Sequence, residues 1–202
     1  INISLSLGSQ SNENTVQQHR DASAASTVLA GHDITLNASG ANSDSHLTVQ
    51  GSQIKAGNDA SLLSAGDINL LAATDTFKQD SDSKGGSASV GIGFAFGGTQ
   101  NGFTLNLGVS GNRGESDGED ITHTNTHIDA GNALTLKSDS DTTLNGAVIT
   151  GSHVVADIGH DLRIESLQDS STYNVDEKSM GVGISLCIPP FCYGLSGSAS
   201  FN

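Results

Sequence analysis

The sequence predicts an all-β fold: a β-solenoid of short stacked strands, interrupted by antiparallel amphipathic β-hairpins. Three observations predict it. The first is an internal repeat. Val28-Leu-Ala-Gly31-His-Asp-Ile34-Thr-Leu36 returns as Ile128-Asp-Ala-Gly131-Asn-Ala-Leu134-Thr-Leu136, an offset of 100 residues. Upstream, Ile3, Leu5, Leu7 and Gly8 fall on Phe103, Leu105, Leu107 and Gly108. Downstream, Gly51-Ser52, Ile54 and Ala56 fall on Gly151-Ser152, Val154 and Ala156; beyond this point the copies slip by a few residues and realign where Val90-Gly-Ile92 meets Val182-Gly-Ile184. The second observation is a shorter rhythm, Gly-(His/Asn)-Asp-x-x-(Leu/Ile), at Gly31, Gly57 and Gly159, with looser forms at Gly66 and Gly131. Gly permits positive φ and Asx side chains bond their own backbone, so each pair marks a tight turn. The third is the alternation after each turn: Ile34, Leu36, Ala38; Leu47, Val49; Ile68, Leu70; Leu134, Leu136; Leu162, Ile164. Period-two alternation is the signature of a half-buried strand. Short, evenly spaced strands with no helical pattern between them suit coils that bury a shared core none could close alone.

In chain order, residues 1–8 alternate cleanly, with Ile1, Ile3, Leu5 and Leu7 on one face. By the 100-residue offset they are the return strand of a hairpin, so the chain reads as a piece of a longer protein. Ser9 to Ser26 is polar and reads as a loop or an edge strand. Coils run from Thr27 to Thr76. Phe77 to Ser83 is polar and charged. Ala88, Val90, Ile92, Phe94 and Phe96 then share one face, with Ser89, Gly91, Gly93, Ala95 and Gly97 opposite. After the turn Gly97–Gly102, Phe103, Leu105, Leu107 and Val109 continue the apolar face, a hairpin signal. Asn112 to Asp120 reads as an acidic loop. Coils resume from Ile128 to about Gln168, and a second hairpin comes after them. Met180, Val182, Ile184 and Leu186 lie on its outgoing strand, and Phe191, Tyr193, Leu195 and Phe201 on its return. The expected organisation is thus two repeat units, 1–102 and 103–202, with coils over 27–76 and 128–168 and the last hairpin over 179–201.

Composition narrows the function. Twenty-two acids against eight bases give a net charge of −14. Nucleic acid is a poor partner for such a surface, because phosphate contacts need clustered Lys and Arg. The acidity reads as a solvated surface that keeps an edge-rich β-protein soluble. Trp is absent and aromatics are 4%, which excludes a large aromatic core. No stretch has the pattern of a signal peptide or the apolar length of a membrane helix.

Candidate sites are few. Cys187 and Cys192 flank a Pro-Pro turn on the small-residue side of their strands. A disulfide there would clip the hairpin base, with a gain of roughly 2–3 kcal/mol at best for so short a loop. The alternative is two small reduced residues; the extracellular character of the composition favours the disulfide. His123 and His127 have metal spacing only on a helix; on a strand they lie roughly 13 Å apart. His32 and His160 occupy the slot before Asp in the coil turn and belong to the repeat. The Gly-Asx turns lack the tandem spacing of calcium-binding nonapeptides, so stacked Asn/Asp side chains between coils are the better reading. No nucleophile elbow, phosphate loop or paired acids stand out, and neither catalysis nor a cofactor is expected. The hairpins are where function should reside. Their apolar residues Val90, Ile92, Phe94, Phe96, Phe103, Leu105, Leu107, Val182, Ile184, Leu186, Phe191 and Tyr193 either cover a side of the solenoid or face a membrane or partner. The residues alone favour the covering arrangement at rest. Their strands have the length of membrane β-strands, but a lone hairpin cannot span, because its edges leave backbone groups unpaired in lipid.

The coil motifs, Leu144-Asn-Gly-Ala-Val-Ile-Thr-Gly151, Asp157-Ile-Gly-His-Asp-Leu-Arg-Ile-Glu-Ser-Leu-Gln-Asp169 and Ser185-Leu-Cys-Ile-Pro-Pro-Phe-Cys-Tyr193 resemble the haemagglutinin repeats of filamentous-haemagglutinin-type exoproteins. They are most similar to the second, membrane-proximal repeat region of CdiA-type contact-dependent growth inhibition proteins. The resemblance covers essentially the whole chain. The coil motif alone is common among adhesins; its combination with the long period, the glycine-rich hairpins and the Cys-x4-Cys turn is more specific. The resemblance implies a right-handed parallel β-helix, exported through an outer-membrane transporter by two-partner secretion to the surface of a Gram-negative bacterium. It implies a filament with a C-terminal toxin, in which this segment meets the target cell's outer membrane or its proteins. A passive stem or adhesin module is the alternative.

Overall fold

The protein is described from a computed structural model over residues 2–96, 102–188 and 194–202, without the side chains of Asn2 and Ala95. It has seventeen β-strands and one short 3-10 turn at Asn42–Asp44 among the described residues. The chain divides into two compact units, one of residues 20–77 and 119–171, the other of residues 1–19, 78–118 and 172–202.

The first of these units is the solenoid. It contains four coils of three short strands: β2 (Thr27–Ala30), β3 (Ile34–Ala38) and β4 (Leu47–Gln50); β5 (Gln53–Ala56), β6 (Ala60–Ser64) and β7 (Ile68–Leu71); β10 (Thr126–Ala130), β11 (Ala133–Ser138) and β12 (Thr142–Asn145); and β13 (Ala147–Thr150), β14 (His153–Ile158) and β15 (Leu162–Glu165). Strands of successive coils pair in parallel, giving three four-stranded sheets ordered β13-β10-β5-β2, β14-β11-β6-β3 and β15-β12-β7-β4. In-register pairing puts like on like: Val28, Ile54, Ile128 and Ile149 form one ladder, and Leu36, Leu62, Leu136 and Ala156 another. Inward residues of every coil therefore meet along the stack, and Leu62, Ile68, Leu70, Ile128 and Leu134 are completely buried. Leu134→Ala is expected to lower the unfolding free energy by about 2–5 kcal/mol, since a cavity in a stacked core cannot collapse freely. A urea titration followed by circular dichroism reads this directly.

The other unit holds most of one antiparallel sheet, ordered β1-β8-β9-β16-β17, from β1 (Asn2–Asp21), β8 (Ala73–Ala95), β9 (Gly102–Thr124), β16 (Ser170–Ile188) and β17 (Gly194–Phe201); the strand residues 20–21, 73–77, 119–124 and 170–171 belong to the first unit. Its register is set by small residues. Gly8 lies against Ala88 and Ser89, Gly93 against Thr104, Gly108 against Ser89, and Gly183 against the Leu107 carbonyl. Met180 pairs with Phe201, Val182 with Ala199, and Leu186 with Leu195.

Three expectations need correction or sharpening. Ser9–Ser26 takes the edge-strand alternative as far as Asp21. Asn112–Asp120 is not a loop but the middle of β9. Backbone pairing on both sides overrides its polar composition: Ser83 Oγ donates to the Gly114 carbonyl at 3.3 Å, and Gly118 lies against the Tyr173 ring. The slip between the copies also comes earlier than the sequence match suggested. Ile54 and Ile149 both pair with Ile128, whereas Val154 pairs with Leu134 in a different sheet. The structural counterpart of Ile54 is Ile149, not Val154. The difference arises between β3 and β4, where the first coil makes the 3-10 turn at Asn42–Asp44 and its counterpart between β11 and β12 is shorter. Gly51 and Gly146, at φ +53° and +63°, then occupy equivalent corners, each against an alanine methyl.

Candidate functional site: an exposed apolar sheet face

Antiparallel pairing places directly opposed residues on the same face of a sheet. The register of the five strands therefore gathers Val90, Ile92 and Phe94, Phe103, Leu105 and Leu107, and Val182, Ile184 and Leu186 onto one face, where Ile3, Leu5 and Leu7 join them from β1 and Leu195 and Phe201 from β17. Phe94 and Phe103 meet across the β8–β9 pair with ring centroids 5.8 Å apart and planes inclined at 58°, a favourable tilted arrangement. The face is open. Val90, Ile92, Phe94, Phe103, Leu107, Val182, Ile184 and Leu186 are 41–47% exposed, Phe96 is 63% exposed, and the residues of the two outer strands are 66–76% exposed. Leu105 is half-buried. An apolar face this exposed has the character of an interaction surface.

The opposite face is built from tiny and polar groups. Ser185 Oγ donates to Asn106 Oδ1 at 2.6 Å, Ser87 and Ser110 hydroxyls are 2.8 Å apart, and a Cβ on Gly93 would meet Thr104 Oγ1 at 2.6 Å. No charged residue occurs in 88–96, 103–110, 180–188 or 194–201, although the chain carries a net charge of −14. Charge begins further along β9, with the Arg113–Glu115 pair. Cys187 is opposite Gly194, near the end of β16. Its expected partner Cys192, together with Phe191 and Tyr193, lies outside the described residues, as does most of the turn Gly97–Gly102. The sequence pattern marks each hairpin separately; it does not show that β1 and both hairpins share one sheet.

Some of the histidines lie beside acids. His123 and His127 fall on consecutive strands, β9 and β10, and His123 Nδ1 is 3.3 Å from Asp169 Oδ1. His46 is 3.2 Å from Asp67. No cluster of three metal-ligating side chains occurs among the described residues. The Asn/Asp turns do stack between coils. Asp33 Oδ1 accepts from the Asp59 amide at 3.0 Å and Asn58 Nδ2 at 2.9 Å; Asp59 in turn accepts from Asn132 and Ala133; and Asp67 and Asp141 each accept the amide of the next aspartate, Asp141 and Asp161.

The Asp59 amide and then Asn58 hold the Asp33 carboxyl below its ordinary value of 3.8. The Ser23 hydroxyl and then its amide, at 2.5 and 2.6 Å, do the same for Asp75. A depressed folded-state value contributes stability above the unfolded value, lost as pH falls through the folded one. The melting temperature is expected to hold from neutrality down to about pH 5 and to fall below about pH 4. Replacing both aspartates by Asn should make that fall shallower; an unchanged acid limb would assign it to other groups.

A family model for the hemagglutinin repeat matches residues 6–182. The chain belongs to the hemagglutinin-repeat family. Among its relatives, a protein named Toxin CdiA from Escherichia coli is 38% identical over 98% of this chain. One named 16S rRNA endonuclease CdiA from Enterobacter cloacae is 38% identical over the full chain, and one named Deoxyribonuclease CdiA from Dickeya dadantii is 33% identical over 91%. The chain spans only 5–6% of the length of these relatives. No solved structure matches it. This is therefore a hemagglutinin-repeat region shared by CdiA proteins that are named for different activities.

Proposed function

We propose that this hemagglutinin-repeat segment is a non-enzymatic part of a secreted, surface-exposed toxin-delivery filament of a Gram-negative bacterium. In this reading an outer-membrane transporter of two-partner secretion exports the filament. The segment then engages the target cell's outer membrane to help a C-terminal toxin cross. The same repeat occurs in relatives named for different nucleases, which fits a delivery part separate from the toxic activity.

One observation carries the membrane reading: the charge-free, solvent-exposed apolar face of the five-stranded sheet. Burying such a face gains about 25 cal/mol per Å² of apolar surface. Ala88–Phe96 is nine residues long, within the range of about 9–11 residues that a tilted membrane strand needs. An open sheet cannot itself cross lipid, because its edge amides and carbonyls would be unpaired. The five strands therefore lie in the interface or join further strands before they cross. A Cys187–Cys192 disulfide belongs to the proposal as a clip on the second hairpin's turn.

Flotation with vesicles of outer-membrane lipid tests it. The chain is expected to rise with the vesicles, and a difference between oxidised and reduced protein would give the cysteines a part. Protein left at the bottom of the gradient under both conditions would favour the passive stem or adhesin module.

A further inference from the structure

We propose that both edges of the five-stranded sheet, β1 and β17, are docking edges for a β8-type strand from a neighbouring repeat. Hairpins of successive repeats would then merge into one continuous sheet. The strand order carries the inference. Only β8–β9 and β16–β17 are hairpin pairs; the other two, β1–β8 and β9–β16, join strands that have two coils of chain between them. In both, the strand entering a pair of coils lies beside the strand leaving it. Each repeat therefore adds one entering and one leaving strand. β17 takes beside β16 the place that β9 takes beside β8, and β1 and β17 each have a leaving strand on one side among the described residues. The strand that continues the alternation at either edge is of the design seen in β8 and β16.

Edge chemistry agrees. Edges meant to remain solvated are usually blunted by Lys, Pro or inward charges. Neither 2–12 nor 194–202 contains a charged residue or a proline.

The test uses the full chain and a fluorescent synthetic peptide copying residues 78–94, with a photoreactive group replacing Gly93. Saturable binding is expected, with labelling of β1 and β17. Thr104 lies opposite Gly93, and its counterpart 100 residues earlier is Ser4, so the label on β1 should centre there. A scrambled peptide should bind at least tenfold more weakly. Lysines at Ser4, Ser6, Ser196 and Ser198 point away from the apolar face and should reduce binding tenfold or more. If that variant loses its β-sheet spectrum, the peptide with alternate amides N-methylated makes the same test from the other side. Equal binding of the scrambled peptide, or label confined to coil strands, would overturn the proposal.

Discussion

Replacing Phe94 and Phe96 together by aspartate is expected to abolish vesicle flotation and leave the fold standing. Phe94 and Phe96 are 41% and 63% exposed, so the new carboxylates stay hydrated in the free protein and avoid the cost of a buried charge. At depth in a bilayer each aspartate costs on the order of 2 kcal/mol, and the pair lowers partition by about two to three orders of magnitude. Circular dichroism and the melting temperature should stay close to those of the parent. The face decides the effect, so Ser89→Asp with Ser196→Asp, on the Ser/Gly side, should float nearly as well as the parent. Unchanged flotation of the phenylalanine variant would remove the apolar face from the mechanism. Equal loss in both variants would point to net charge instead.

Much of the fold is legible in the residues, for reasons that also explain what is not. Coil strands announce themselves because one turn residue and two inward side chains suffice: Gly31-His-Asp before Ile34 and Leu36, Gly131-Asn-Ala before Leu134 and Leu136. Each coil is a local pattern repeated, and in-register stacking does the rest. Residues 112–120 carry no such pattern. Their strand is specified by backbone pairing with β8 across a long hairpin and with β16 beyond two coils of chain, and alternation of charged with polar side chains leaves no trace of a buried face. The misplaced slip has a similar origin. Ile54 and Val154 both sit in alternating apolar stretches, so a sequence match cannot tell that five residues around the Asn42–Asp44 turn have moved the register by a whole strand. The candidate site is half visible in the residues. Each amphipathic strand is evident, but its merger into a single sheet depends on long-range register. The one available signal is the shared alternation of Ile3, Leu5, Leu7 with Phe103, Leu105, Leu107, together with the absence of charge from all of these stretches.

The second large effect separates two glycines that the coil motif makes look identical. Gly57→Ala is expected to cost about 3 kcal/mol or to prevent folding, whereas Gly31→Ala should stay within about 0.5 kcal/mol of the parent. A Cβ on Gly57 would lie 2.1 Å from the Gly31 carbonyl oxygen and 2.8 Å from its carbon, and one on Gly131 would meet the Gly57 oxygen at 2.2 Å. A Cβ on Gly31 meets nothing within 4 Å. The obstacle at Gly57 is backbone of the adjacent coil, not a side chain that can rotate away. Relief requires the two coils to part by about 1 Å, and a hydrogen bond weakens steeply over that distance. The bonds at stake are Gly57 N–H to the Ala30 carbonyl and Asn58 N–H to that of His32, both 2.9 Å, and Asn58 Nδ2 to Asp33. The glycine is thus required by coil-to-coil approach and not by turn geometry, because Gly51 and Gly146 have positive φ at their corners and Gly57 does not. Urea midpoints of the two alanine variants decide the matter. Equal destabilisation would mean that both glycines serve the turn, and that the stacking distance tolerates a methyl group.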